Sequence, residues 1–140
     1  MDAPNPLLPS SRIRILLVED YEPNVLVATS ILESMDCEFD HAADGKRAVQ
    51  KISEQNFDVI LMDLQMPVMD GLEATRVIRT MEKDGALTYH PYIIAMTAHA
   101  LKEDRELCLR AGMDDYISKP FELEDLTQRL SKIAGKPLQL

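Results

Sequence analysis

Five polar residues close the apolar runs of this chain, and their types suit phosphoryl chemistry. Glu19 and Asp20 follow the run Ile13 to Val18, Asp63 follows Phe57 to Met62, Thr97 follows Tyr92 to Met96, and Lys119 follows Tyr116 to Ser118. If these runs are parallel strands, three carboxylates, a hydroxyl and an ammonium group meet at one edge of one sheet. In open doubly wound sheets, ligands bind outside the carboxyl ends of the strands, where the winding reverses. A single Asp after a strand is usually a cap or turn residue. The conjunction of all five at strand ends outweighs that plainer reading.

Glu19, Asp20 and Asp63 placed a few ångströms apart would repel one another, and without a counter-charge at least one carboxyl pKa would rise. A cation is therefore implied. Hard oxygen ligands favour Mg²⁺, with Mn²⁺ as the alternative, because such an ion keeps several waters and leaves room for phosphate oxygens. With that charge shielded, an oxygen of Asp63 can attack an incoming phosphoryl group and form an acyl phosphate. Phosphoryl transfer needs little beyond alignment and charge stabilisation, which Lys119 and the Thr97 hydroxyl can supply. Lys119 can also serve structurally by neutralising the acidic pocket, and the two roles are compatible.

The elements that must position these groups are legible as apolar runs of about five or six residues alternating with amphipathic stretches of about ten to fourteen, which marks a parallel sheet with crossover helices. Strands are predicted at 13–18, 37–42, 57–62, 92–97 and 114–118, and helices at 22–35, 45–54, 71–82, 100–111 and 122–134. Ile15 to Val18, Val59 to Met62 and Ile93 to Met96 are unbroken apolar runs, as strands covered on both faces require. The second and fifth strands are more polar and belong nearer the edges. Pro23 suits a first helical turn, Asp44 and Asp70 suit N-caps, and Gly112 suits the residue just past a helix C-terminus. Leu123, Leu126, Leu130 and Ile133 give the last helix a buried stripe, with acidic residues in its first turn.

Composition narrows the function further. A chain of 140 residues, 46% of them hydrophobic, supports one domain with a real core. The expected division is a lead-in at 1–11, carrying Pro4, Pro6 and Pro9, a folded domain at 12–134 and a short tail at 135–140. A net charge of −9 without a basic cluster counts against binding of nucleic acid or acidic lipid. Cys37 and Cys108 lack metal-ligand spacing and read as reduced packing residues. No stretch approaches the roughly 18 apolar residues of a membrane span. A cytoplasmic protein without membrane contact is expected.

Four motifs occur in order at the strand ends: Leu-Leu-Val-Glu-Asp at 16–20, Leu-Met-Asp-Leu-Gln-Met-Pro-Val-Met-Asp-Gly at 61–71, Ala-Met-Thr-Ala at 95–98 and Ser-Lys-Pro-Phe at 118–121. On these motifs the chain, from about Ile13 to Ile133, resembles a receiver domain of two-component signalling, most like the receiver of a hybrid histidine kinase. The resemblance implies a flavodoxin-like (βα)5 fold with strand order 2-1-3-4-5. It also implies Asp63 as phosphoacceptor, Mg²⁺ held by the Glu19–Asp20 acid pair with Asp63 and the backbone carbonyl of Gln65, and phosphoryl contacts from Thr97 and Lys119. Tyr116 matches the switch aromatic that turns inward as Thr97 moves towards the phosphate; its plainer role is a half-buried edge aromatic. The Lys119–Pro120 bond is often cis in such domains, and Pro67 and Gly71 shape the loop after the acceptor.

The chain departs from the common pattern at Glu19, where many relatives carry Asp, and at Tyr21, where hybrid-kinase relatives often carry Asn. Gln65 and His99 match positions that tune the lifetime of the phosphoryl group, although a rim histidine is also simply exposed. In the first helix, 100° per residue groups Val27, Ala28, Ile31, Leu32 and Met35 as the buried stripe. Leu26 is thereby left nearly opposite and Val25 on the edge of the stripe, and the resemblance implies them as contacts for a histidine kinase or a histidine phosphotransfer protein. The expected product is a self-phosphorylating and self-dephosphorylating switch, monomeric or weakly dimeric. A phosphate-independent interaction module of the same fold is the alternative, opposed by the complete polar set. A small-molecule phosphohydrolase is disfavoured because Asp63-Leu64-Gln65 lacks a second carboxylate and no cap segment is present. No output domain follows Leu140, so a single-domain regulator or a piece of a longer hybrid protein is expected.

Overall fold

A computed structural model describes residues 12–66, 68–98 and 102–134. Strand and helix alternate as β1 (Ile13–Val18), α1 (Glu22–Glu33), β2 (Cys37–Ala42), α2 (Gly45–Glu54), β3 (Val59–Asp63), α3 (Gly71–Lys83), β4 (Tyr92–Thr97), α4 (Lys102–Ala111), β5 (Asp115–Ser118) and α5 (Leu123–Ala134). All strands are parallel and lie in the order β2-β1-β3-β4-β5. The order matches the expectation, with the two more polar strands at the edges. The predicted lead-in, tail, Pro67 and His99 lie outside the described residues.

Alternation of side chains across the sheet separates two cores. Ile15, Leu17, Leu61, Ile94 and Met96 face α1 and α5, meeting Ala28, Leu32, Leu126 and Leu130. Leu16, Val18, Ile60, Met62 and Ala95 face α2, α3 and α4, meeting Ala48, Ile52, Ala74, Ile78 and Cys108. The central strands are thus buried on both sides, which is why their sequences are continuous apolar runs rather than alternating ones. Both cysteines are free and buried, and burial raises their thiol pKa values. They pack rather than react.

Local chemistry sets the helix starts. The Asp44 carboxylate accepts from Arg47 N–H at 2.8 Å and the Asp70 carboxylate from Glu73 N–H at 2.8 Å, each satisfying an otherwise unpaired donor of the first turn. Gly112, at φ +106°, follows α4 with its N–H donating to the Leu109 carbonyl at 3.1 Å. β3 begins two residues later than predicted because Asp58 turns the chain in: its carboxylate accepts from Arg14 N–H at 2.9 Å. At its other end β3 continues through Asp63, which pairs in register with Met96, so Asp63 sits on the strand itself.

The face of α1 requires a correction. Val25 is only 8% exposed and packs in the core, whereas Val27 is 51% exposed and Leu26 60%. The sheet-facing stripe is Val25, Ala28 and Leu32, spaced three and four apart, and Met35 reaches the same core from beyond the end of the helix. At 100° per residue Val25 and Val27 flank Ala28, Ile31 and Leu32 on opposite sides, and the structure buries the Val25 side. The outward apolar pair next to the acid loop is therefore Leu26 with Val27.

Gly71 ties α3 to the end of β3. A Cβ there would lie 2.2 Å from the Asp63 carbonyl oxygen, a contact that only displacement of the backbone can relieve. Gly85, at φ +83° in the loop after α3, has open space around it. Gly71→Ala is expected to destabilise by roughly 1–3 kcal/mol through overpacking. Gly85→Ala should cost about 1–2 kcal/mol from its left-handed backbone alone. Urea denaturation followed by circular dichroism checks both, and only Gly71→Ala should also displace the Asp63 backbone.

Candidate functional site

The carboxyl ends of β1, β3, β4 and β5 bring the predicted groups together. Lys119 Nζ donates to Asp63 Oδ1 at 2.9 Å and to Glu19 Oε1 at 3.1 Å. Glu19, Asp20 and Asp63 each offer an oxygen within 4.8 Å of the others; Glu19 and Asp63 are buried and Asp20 is exposed. Gln65 N–H donates to Asp63 Oδ1 at 3.3 Å, so the chain turns back over the carboxylate. A cavity of about 120 Å³ opens beside these groups, lined by Asp63, Gln65, Thr97, Ala98, Asp104 and Lys119. Thr97 is buried at the end of β4, and its carbonyl accepts from Lys119 N–H at 2.8 Å. The Lys119–Pro120 peptide is cis.

Charge in the site is incompletely balanced by the protein. Burial, opposed by the Lys119 hydrogen bond and reinforced by the neighbouring Glu19, raises the Asp63 pKa above its ordinary 3.8. Burial also acts to lower the pKa of Lys119, but the hydrogen bonds and charges of Asp63 and Glu19 outweigh it and raise the value above 10.5. Lys119 thus stays protonated, yet one ammonium does not fully offset the carboxylates. The donor set is all oxygen, half buried and under-compensated, which fits a hard divalent cation such as Mg²⁺.

The predicted residues otherwise fall as follows. Tyr116 is half-buried on β5, packed beside the α2–α4 core. Leu26 is exposed on α1, whereas Val25 is not available at the surface. Three contributions escaped the sequence reading. His41 Nε2 donates to the Glu19 carbonyl at 2.8 Å and steadies the acid loop from β2. Asp104, an ordinary first-turn acid by its position in α4, lines the cavity beside Asp63. Arg105 reaches Tyr116 from the same helix. None of these follows a strand, so the signal that marked the others is missing.

Residues 15–131 match the family described as response regulator receiver domain, and the chain belongs to that family. Among curated relatives, the sensor protein GacS of Pseudomonas syringae pv. syringae is 39% identical over 134 residues, covering 96% of this chain and 15% of GacS. The aerobic respiration control sensor protein ArcB of Escherichia coli K12 is 38% identical over 125 residues, covering 89% of this chain and 16% of ArcB. The chain therefore spans a small part of the length of these sensor kinases. Among solved structures, the receiver domain of sensor histidine kinase PA1611 from Pseudomonas aeruginosa PAO1 is 43% identical at a TM-score of 0.78, covering 89% of this chain and 99% of that one. It holds a magnesium ion in its active-site cleft. The co-crystal structure of the Saccharomyces cerevisiae phosphotransfer protein Ypd1 with the Ssk1 receiver domain matches at 32% identity and a TM-score of 0.82, covering 89% of this chain and 90% of the matched chain.

The raised Asp63 pKa carries a stability prediction for the metal-free protein. Between pH 3.8 and its higher native value, the folded state binds more protons at Asp63 than the unfolded state does. The stabilising contribution is therefore full below pH 3.8 and is lost as pH rises through the native value. In EDTA at neutral pH, Asp63→Asn is expected to be as stable as the wild type or more stable by about 1 kcal/mol, a difference that closes on acidification. Millimolar Mg²⁺ should raise the wild-type melting temperature and leave that of Asp63→Asn nearly unchanged. Thermal melts across pH with and without Mg²⁺ measure both effects.

Proposed function

We propose that this receiver domain is a phosphoacceptor switch that takes a phosphoryl group from a phosphohistidine onto Asp63. The observation that carries the reading is the cluster of Lys119, Asp63 and Glu19, with Asp20 within ligand reach, opening on a cavity shared with Thr97. An oxygen of Asp63 forms the new bond to phosphorus as the bond from phosphorus to the donor imidazole nitrogen breaks. The imidazole keeps the electron pair, and Asp63 becomes an acyl phosphate. Lys119 Nζ and the Thr97 hydroxyl would stabilise charge on the phosphoryl oxygens. Glu19, Asp20, Asp63 and the Gln65 carbonyl would hold Mg²⁺, which when bound supplies positive charge against the same oxygens. In hydrolysis, a water oxygen forms the new bond to phosphorus as the bond from phosphorus to the Asp63 oxygen breaks; the water proton passes to the phosphate or to solvent, inorganic phosphate leaves and the Asp63 carboxylate keeps the electron pair.

The acyl phosphate adds about −1.5 to −2 charge to a pocket whose cation is already shared between two carboxylates. Its readout is a change in Thr97 and Tyr116 that alters a protein-binding surface. Leu26 and Val27, exposed on α1 beside the acid loop, are proposed as the contact for the histidine-bearing partner. The Ypd1 complex among the structural relatives supports a phosphotransfer protein as that partner. We read residues 12–134 as the receiver of a cytoplasmic hybrid kinase or phosphorelay protein. A binding module independent of phosphate would have no need of the ion-paired acid cluster.

Intact mass after treatment with acetyl phosphate tests the chemistry. One added phosphoryl group is expected in the wild type with Mg²⁺, and none with EDTA or in Asp63→Ala. Lys119→Ala should slow the gain by about 100-fold or more. A folded, Mg²⁺-binding wild type that gains no mass from either acetyl phosphate or a phosphohistidine protein would leave the interaction module as the better reading. Docking is tested separately: Leu26→Asp combined with Val27→Asp should slow transfer from a phosphohistidine protein by about 10-fold or more. The same variant should be labelled by acetyl phosphate at the wild-type rate.

A further inference from the structure

Two guanidinium groups from different helices hold Tyr116 at the surface of β5. Arg105 of α4 donates a hydrogen bond from Nη1 to the Tyr116 hydroxyl, and its Cζ stands 5.0 Å from the ring centroid. Arg129 of α5 stands 5.8 Å from the same centroid. The two cations differ in what else restrains them. Arg129 Nη1 donates to Asp115 Oδ1 at 2.6 Å and Nε to Asp125 Oδ1 at 3.2 Å, so its position is fixed by carboxylates whatever the ring does. For Arg105, the side-chain hydrogen bond among the described residues is to Tyr116.

We infer that Arg105 is a latch on the switch: it engages Tyr116 in the outward position and thereby biases the domain towards its unphosphorylated state. The inference rests on the proposed coupling of Thr97 and Tyr116 and adds the residue that sets its resting balance. Two features support it. The contact combines a cation over the ring with a hydrogen bond to the hydroxyl of the same residue, so both are lost together when the ring turns in. The latch also sits on α4, the helix that follows the strand ending in Thr97, so the two sides of the switch are carried by consecutive elements. Arg105 touches neither Asp63 nor the proposed metal ligands and acts as a positioning residue.

Population arithmetic gives the sign of the effect. A ligand of the inward state binds with an apparent affinity reduced by the fraction of molecules already competent, so weakening the latch must tighten binding. A merely structural arginine gives the reverse pattern, lower stability with unchanged or weaker binding. The test is titration of beryllofluoride with Mg²⁺, an acyl-phosphate mimic, into wild type, Arg105→Ala and Arg105→Lys. Binding is read by calorimetry, and the Tyr116 ring resonances by NMR. Arg105→Ala is expected to bind roughly 3- to 10-fold tighter than wild type, with its ring signals shifted towards the bound positions before ligand is added. Arg105→Lys, which keeps the charge without the planar fork, should fall between them and carries the same test if the alanine variant does not fold. Equal or weaker binding by the folded variants, with wild type binding, overturns the latch and leaves the acceptor reading standing. No binding by wild type overturns the acceptor reading and the latch with it.

Discussion

One ammonium group, Lys119 Nζ, lies between the carboxylates of Asp63 and Glu19, and the carboxyl edge of the sheet depends on it. Both carboxylates are almost fully buried, and a buried ion without a partner costs several kcal/mol. The lysine is 100 residues from Glu19 and 56 from Asp63 in sequence, so the pairing can form only when β1, β3 and the β5–α5 connection are all in place. The same interaction accounts for the direction of the Lys119 pKa and for the incomplete relief of Asp63. The site is held in a charged state that the protein alone does not satisfy, which is the condition under which a divalent cation or a change of ligand at Asp63 has the largest effect.

The fold supplies that tension at low structural cost. Strands covered on both faces anchor the residues at their carboxyl ends, and the topological reversal between β1 and β3 places Glu19 and Asp63 at the ends of neighbouring strands. Supporting contacts come from groups with no chemistry of their own. His41 fixes the backbone of Glu19 from the adjacent edge strand, and Gly71 lets the start of α3 press against the Asp63 carbonyl. Such contacts limit how far Asp63 can move to relieve its repulsion from Glu19, so the response to an added charge falls on the loops beyond the strand ends.

Much of this was legible in the residues because burial imposes simple patterns. Continuous apolar runs identified the central strands, and a polar residue broke each run at the carboxyl edge of the sheet, so Asp63, Thr97 and Lys119 were marked by the same rule. The strand order was not contained in those patterns and came from resemblance to a known family. Helix α1 shows where periodicity fails. Val25 and Val27 flank Ala28, Ile31 and Leu32 on opposite sides, so a 100° repeat alone does not choose between them, and only packing against the sheet shows that Val25 is the buried one. Asp104 and Arg105 were invisible for a different reason: on a helix surface a charged residue is the default, and only tertiary placement distinguishes one that faces a cavity or an aromatic ring.

β5 joins the two ends of the proposed switch. It is an edge strand of four residues, paired on one side only, and it carries Tyr116 three positions before Lys119. Lys119 is held in the acid pocket, while Tyr116 is contacted by Arg105 and Arg129. A charge placed on Asp63 strengthens the inward pull on the lysine and does nothing directly to the arginines. The balance must then be altered through the backbone that Lys119 shares with Thr97, whose carbonyl accepts the Lys119 N–H. Packed elements of this kind move between discrete arrangements rather than by graded deformation. A short edge strand with cationic contacts at both ends is therefore a suitable place for a small change of charge to become a change of surface.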